Sequence, residues 1–268
     1  MADITPAEIR GASFGLRQAM DTVGAFLGPL LAILLMSLLA GDIGLVLWFA
    51  VLPALVSVGL IMVGVHEPGS AQPSQRLRSP LRFAAWRSFP AAYWWVVGLG
   101  ALFSLARFSE AFLVLRAQDA GFSTTWVPLV MVVMAGFYML SAYPAGKWSD
   151  RLSRNALLAF SLVLLIVADL LLARADSPNL LLAGVAFWGL HMGFSQGILA
   201  ALVAETTPVD LKGTAFGLFN LASGAALLLA SLLAGWLWQS LGPASTFLAG
   251  AAFCAVALAL LAARTRFA

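Results

Sequence analysis

An all-α integral membrane protein with eight transmembrane helices is the fold class this sequence predicts, and three observations carry it. Of 268 residues, 62% are hydrophobic and 10% charged, against about 25% charged in soluble domains, so too few ionic groups remain to coat a globule in water. The apolar residues gather into eight runs near the roughly 20 residues that a helix needs to cross the hydrocarbon core. Each run is continuously apolar and rich in Ala and Leu, whereas the strands of a membrane barrel alternate apolar and polar over about ten residues. Soluble enzymes, nucleic-acid binders and disordered tails are set aside on the same grounds.

The runs cover residues 19–39, 45–65, 93–115, 126–145, 156–173, 180–202, 218–238 and 245–263. Turn and cap signals separate them, among them Gly41-Asp42, Gly121-Phe122-Ser123, Asp176-Ser177-Pro178 and Gly242-Pro243, and they mark short hairpin connections. The longest gap, residues 66–92, is rich in proline and serine and holds Arg76, Arg78, Arg82 and Arg87. It reads as a cytoplasmic linker with a short surface helix near residues 81–86. The domain organisation expected is a partial two-helix bundle over 1–65, the linker over 66–92, and a six-helix bundle over 93–268.

Lysine and arginine orient the chain. Alternate connections hold Arg10 and Arg17, the four linker arginines, Lys147, Arg151 and Arg154, then Lys212, then Arg264 and Arg266; the intervening ones hold only Arg116 and Arg174. The positive-inside rule then places both termini in the cytoplasm, in an inner or plasma membrane. Residues 1–13 carry no apolar core of the secretory kind. The single cysteine, Cys254, excludes an internal disulfide and any CxxC site. No histidine, cysteine and carboxylate set stands at metal-ligand spacing and no acid, base and nucleophile cluster together. Neither enzyme activity nor a metal or other cofactor is expected.

A repeat runs through the chain at an offset of 202. Residues 2–16 align with residues 204–218, with Ala2, Thr5, Pro6, Gly11, Phe14, Gly15 and Leu16 matched identically and Asp3, Glu8, Ile9 and Arg10 matched by Glu205, Asp210, Leu211 and Lys212. Such repeats are expected of transporters built from two related bundles. In the second copy the segment follows four membrane runs of its bundle; in the first copy it opens the chain. The expectation drawn is that a complete relative carries four further helices upstream, the alternative being an eight-helix protein in its own right.

The loop after the fourth run reads Gly146-Lys147-Trp148-Ser149-Asp150-Arg151-Leu152-Ser153-Arg154, which resembles the cytoplasmic GxxxDRxxR signature of the major facilitator superfamily. Gly15, Gly24 and Gly28-Pro29, with Asp21 among them, are similar to the motif that antiporter branches of that family carry in their fifth helix. The closing glycine pair is replaced by Ala32-Ile33, and small-residue packing is the competing reading of this stripe. The resemblance implies that the eight runs correspond to helices 5–12 of a twelve-helix fold. It also implies alternating access about a midplane site, with a small-molecule solute as the cargo and the lipid bilayer as the surroundings.

Ionisable groups at depth are functional candidates by default. Arg107 and Glu110, three residues apart on the third run, are expected on one helical face as an ion pair, either structural or broken by substrate or proton. Arg17 and Asp21 are expected to pair near the inner end of the first run. Asp169 is expected near the outer end of the fifth run, about a turn from Arg174 and snorkelling to the interface. In the sixth run His191, Ser195 and Gln196 bring polar groups among Gly189, Gly193 and Gly197; a lone histidine there is more often a hydrogen-bonded packing residue than a proton carrier. The substrate or proton pathway candidates are thus Arg107, Glu110, Asp169, His191 and Gln196. For the gating loop Asp150 and Arg151 are expected to contact the first run around residues 15–21, with Arg154 reaching Glu205. Proton-driven export of a drug or metabolite is the leading expectation. The alternative is a chain that transports only together with a separate N-terminal half, or not at all.

Overall fold

The computed structural model describes residues 9–39, 41–64, 89–208 and 211–267. The linker arginines, the surface helix expected near residues 81–86 and the start of the first repeat lie outside the described residues. Among those described, the regular elements are helices: α1 (Arg10–Leu38), α2 (Ile43–Gly64), α3 (Ala91–Ala106), α4 (Ala111–Asp119), α5 (Leu129–Ser149), α6 (Arg154–Ala173), α7 (Pro178–Glu205), α8 (Lys212–Leu241) and α9 (Pro243–Phe267). With α3 and α4 taken as one span, eight of them are long and apolar enough to cross a membrane.

Local chemistry explains the ends. The Asp42 carboxylate accepts from the N–H of Leu45 at 3.1 Å and caps α2. Pro178 opens α7 at a position where no N–H is needed. Gly121 and Gly242 stop α4 and α8 with φ of 87° and 88°, backbone that glycine adopts without a Cβ clash. Pro29, Pro53 and Pro144 lie inside α1, α2 and α5, each of which runs on through its proline.

The third expected run is not one helix. It breaks after Ala106, where Arg107 takes the extended values φ −114°, ψ 96°, and resumes at Ala111. Arg107 and Glu110 therefore do not share a helical face, and they form no ion pair; the expected pair is corrected. Backbone groups freed at depth need partners, and they find them: Ser231 Oγ on α8 accepts the Ser109 N–H at 3.1 Å, and Ser109 Oγ accepts the Ala111 N–H at 3.3 Å.

Helix α7 runs through the middle of the assembly, packed on α5 and α6; α9 lies against α6, α3 against α8, and α1 along α5 and α7. Without a hydrophobic drive between helices in lipid, small residues set how closely they approach. The close approach expected of Gly189, Gly193 and Gly197 is what α7 makes: a Cβ on Gly189 would run into the Met134 carbonyl, one on Gly193 into Ser141, and one on Gly197 would stand 3.5 Å from Gly15. Trp188, Leu158, Leu162, Leu165 and Phe247 fill the core. Outward side chains stay apolar, as at Leu228, Leu232 and Trp236 of α8 and along all of α2, which buries none of its residues, the surface that hydrocarbon solvates.

Candidate functional site

Two features sit where α1 meets the rest of the bundle. The first is at its N-terminal end. Helix α1 has no acidic residue in its first turn and no capping side chain of its own, so its leading N–H groups lack local acceptors. Asp150, at the end of α5, supplies them: its carboxylate accepts from Gly11 N–H at 2.8 Å and Ala12 N–H at 2.9 Å, a negative charge on the positive end of a helix dipole. The approach depends on glycine. A Cβ on Gly15 would stand 2.6 Å from the Ala142 carbonyl and 3.1 Å from Gly146 Cα, and one on Gly146 would stand 3.0 Å from Gly15 Cα.

The contact of the Asp150 loop with α1 thus falls at Gly11 and Ala12, a turn earlier than the expected residues 15–21. Arg151 is exposed and its side chain makes no hydrogen bond or ion pair among the described residues, so its expected share in that contact is corrected. Beside this cap the Arg154 guanidinium grips the Glu205 carboxylate with both nitrogens, Nη2 donating to Oε1 at 2.8 Å and Nη1 to Oε2, which ties the start of α6 to the end of α7. Gly24 and Gly28 have nothing within 4 Å of a built Cβ. The close packing expected of that stripe is therefore met only at Gly15 among the described residues.

The second feature is a cavity of about 310 Å³ bounded by α1, α3, α7 and α8. Its walls carry Arg17 and Gln18 from α1, Ser104 and Arg107 from α3 and its broken end, His191, Ser195 and Gln196 from α7, and Asn220 and Ser223 from α8, with Phe103, Phe216 and Phe219 among them. The break after Ala106 brings the Arg107 side chain to this wall. Arg17 and Asp21 pair at 3.6 Å with both side chains more than half exposed. His191 is buried; its Nδ1 lies 2.8 Å from the Ser161 carbonyl, an acceptor only, so Nδ1 carries the hydrogen, and Phe103 stacks on the ring at 6.0 Å. The Tyr138 hydroxyl on α5 donates to Gln196 Oε1 at 2.7 Å and fixes that amide at the wall.

Of the expected pathway residues, the structure brings Arg107, His191 and Gln196 together at the cavity, while Glu110 and Asp169 stand apart from its lining. Asp169 does not snorkel. It is fully buried between α6 and α9 against Phe108 and Gly250, and neither carboxylate oxygen has a hydrogen-bond partner among the described residues. Sequence reasoning missed Tyr138, Ser104 and Asn220; polar side chains interrupting apolar runs were the available signal, but only packing says which way they point. No group of three or more His, Cys, Asp or Glu side chains is placed to hold a metal ion among the described residues.

The described residues thus form membrane-length helices around a polar chamber, with charged contacts bracing one end. The sequence model of the Major Facilitator Superfamily matches residues 111–267, and the chain belongs to that family. It is 28% identical over 258 residues to an uncharacterized MFS-type transporter of Methanocaldococcus jannaschii, covering 94% of this chain and 63% of that one. It is 27% identical over 241 residues to the cis,cis-muconate transport protein of Acinetobacter baylyi, covering 81% and 55%. A shorter match, 34% over 98 residues, joins it to a facilitated glucose transporter of Gallus gallus, covering 35% and 18%. The chain thus spans 63% of the length of the first of these relatives and 55% of the second.

Proposed function

We propose that the protein is a secondary active transporter that moves a small metabolite by alternating access, the bundle over 93–268 rocking against the helices over 1–65 about the cavity. One observation carries this reading: the cavity is walled by α1 on one side and by α3, α7 and α8 on the other, so a solute held there touches both bodies that must move. Asp150, accepting from Gly11 and Ala12, acts as the latch at one end, and Arg154 with Glu205 steadies the loop beside it. The distribution of lysine and arginine puts that latch and both termini on the cytoplasmic side. The cavity volume lies at the lower end of the roughly 300–1,000 Å³ of ligand pockets, which favours a metabolite over a bulky drug.

Export is the direction favoured by the antiporter-like Gly15, Gly24, Gly28 and Pro29 stripe. Proton coupling rests on Glu110 and on Asp169, whose buried and unpartnered carboxyl is the kind of group that transporters use for it. A second reading, in which flux needs a separate helical half, is favoured by α2, whose apolar faces the described residues leave uncovered.

The test is flux in proteoliposomes holding the full chain, alone and together with the upstream half of a relative. Transport by either preparation, lowered by Asp150→Lys without loss of the folded protein, supports the carrier and its latch. Flux unchanged by that charge reversal removes the latch, and absence of flux in both preparations removes the carrier.

A further inference from the structure

Among the described side chains that wall the cavity there are two arginines and no carboxylate. Arg17 has its own counterion in Asp21. Arg107 has none: its side chain makes no ion pair and no hydrogen bond among the described residues, although it stands well inside the membrane. It follows the 16-residue α3, about 24 Å along at 1.5 Å per residue. An unpaired cation at such depth is costly unless something neutralises it. Glu110, three residues on, is outside the cavity lining and forms no ion pair with Arg107.

The backbone supports the same reading. Were α3 continuous through residue 110, Arg107 and Glu110 would face one way and cancel; the break turns Arg107 to the cavity wall without its neighbour. The groups around it are hydrogen-bonding and neutral. Ser104, Asn220 and Gln196 line the wall, Ser223 Oγ has no partner among the described residues, and His191 keeps Nδ1 on the Ser161 carbonyl. Phe103, Phe216 and Phe219 supply flat apolar surface for a short carbon skeleton.

We infer that the solute is a small organic anion whose oxyanion, carboxylate or phosphate, docks on Arg107, with Ser104, Asn220 and Gln196 binding its remaining polar groups. The inference rests on the carrier reading above and narrows it to a charge class. The planar guanidinium fork matches either oxyanion with two parallel hydrogen bonds. A lipophilic cation would meet the uncompensated charge of Arg107 with no acid among the described residues of the wall, and a neutral polyol would leave Arg107 unpaired.

The full chain, purified in detergent, is titrated calorimetrically with two matched pairs: adipate against adipamide, and glucose 6-phosphate against glucose. At least one charged probe should bind about tenfold or more tighter than its neutral counterpart, the size of a charge-assisted hydrogen-bonded contact. Arg107→Gln should abolish that preference and Arg107→Lys should keep part of it. Ser104→Asp, which sets a carboxylate in the same wall while leaving Arg107 in place, should abolish it by a second route. The inference is overturned if neither charged probe outbinds its neutral partner, or if the preference survives both Arg107→Gln and Ser104→Asp. Because equilibrium binding needs no flux, failure of the carrier reading is seen separately in proteoliposomes. Glucose flux insensitive to Arg107→Gln would keep the carrier and discard the anion.

Discussion

Replacing Asp150 with alanine removes both acceptors that hold the start of α1, the 2.8 Å bond from Gly11 and the 2.9 Å bond from Ala12. Losing a helix cap costs about 0.5–2 kcal/mol, and losing a negative charge from the helix N-terminus costs about 0.3–1 kcal/mol more. Together these give about 1–3 kcal/mol, which shifts the balance between a docked and an undocked α1 end by roughly 5- to 150-fold. The shift can be read at Gln18, on α1 and at the cavity wall. In a Cys254→Ala background, a cysteine at that position should react with a membrane-impermeant maleimide at least about fivefold faster when Asp150 is alanine, the lower bound of that range. Asp150→Asn keeps an acceptor but no charge, so it should fall between. Equal labelling rates in all three proteins, each with the parent melting curve, would refute the idea that this carboxylate holds the helix end.

Further outcomes follow from the same geometry. Gly15→Ala should lower stability by about 1–3 kcal/mol through overpacking, since its Cβ meets the Ala142 carbonyl at 2.6 Å, while Gly24→Ala, with open space around it, should leave the melting temperature level or raised; equal losses would sink the contrast. A double-mutant cycle on Arg154→Ala and Glu205→Ala should return a coupling of about 1 kcal/mol that shrinks in high salt, because both side chains are partly exposed; simple additivity would show the pair to be idle. Asp169→Val should stabilise the detergent-solubilised protein by about 1–3 kcal/mol, since it removes a buried polar group that has no partner. A drop in melting temperature there would mean that the carboxyl is held by a group the structure does not pair with it. Tyr138→Phe should free the Gln196 amide and weaken binding of whichever probe the cavity takes, by about three- to tenfold for one hydrogen bond; unchanged affinity would remove Gln196 from the contact set.

The membrane class and the eight spans were legible because each depends on composition over some twenty residues, a length scale the chain itself displays. The glycines of α7 were also readable, since a stripe of small residues announces a close neighbour without saying which one. Single polar residues were a different matter. Arg107 with Glu110 has the spacing of an ion pair only while the helix continues, and the break that separates them is held by Ser109, whose N–H donates to Ser231, 122 residues away, and whose Oγ accepts from Ala111. Asp169 lies near a helix end by count, yet Phe108 and Gly250 close over it.

What the sequence determined alone is therefore the solvent, the number of crossings and the family signature around Gly146 to Arg154, all written in local runs of residues. What tertiary structure decided is which side chains share a space: Asp150 with the bare end of α1, and Arg107 with His191, Gln196 and Asn220. The physical reason is that hydrocarbon tolerates any apolar face, so periodicity does not say which side of a membrane helix turns inward. That choice is made by the fit of one helix against another.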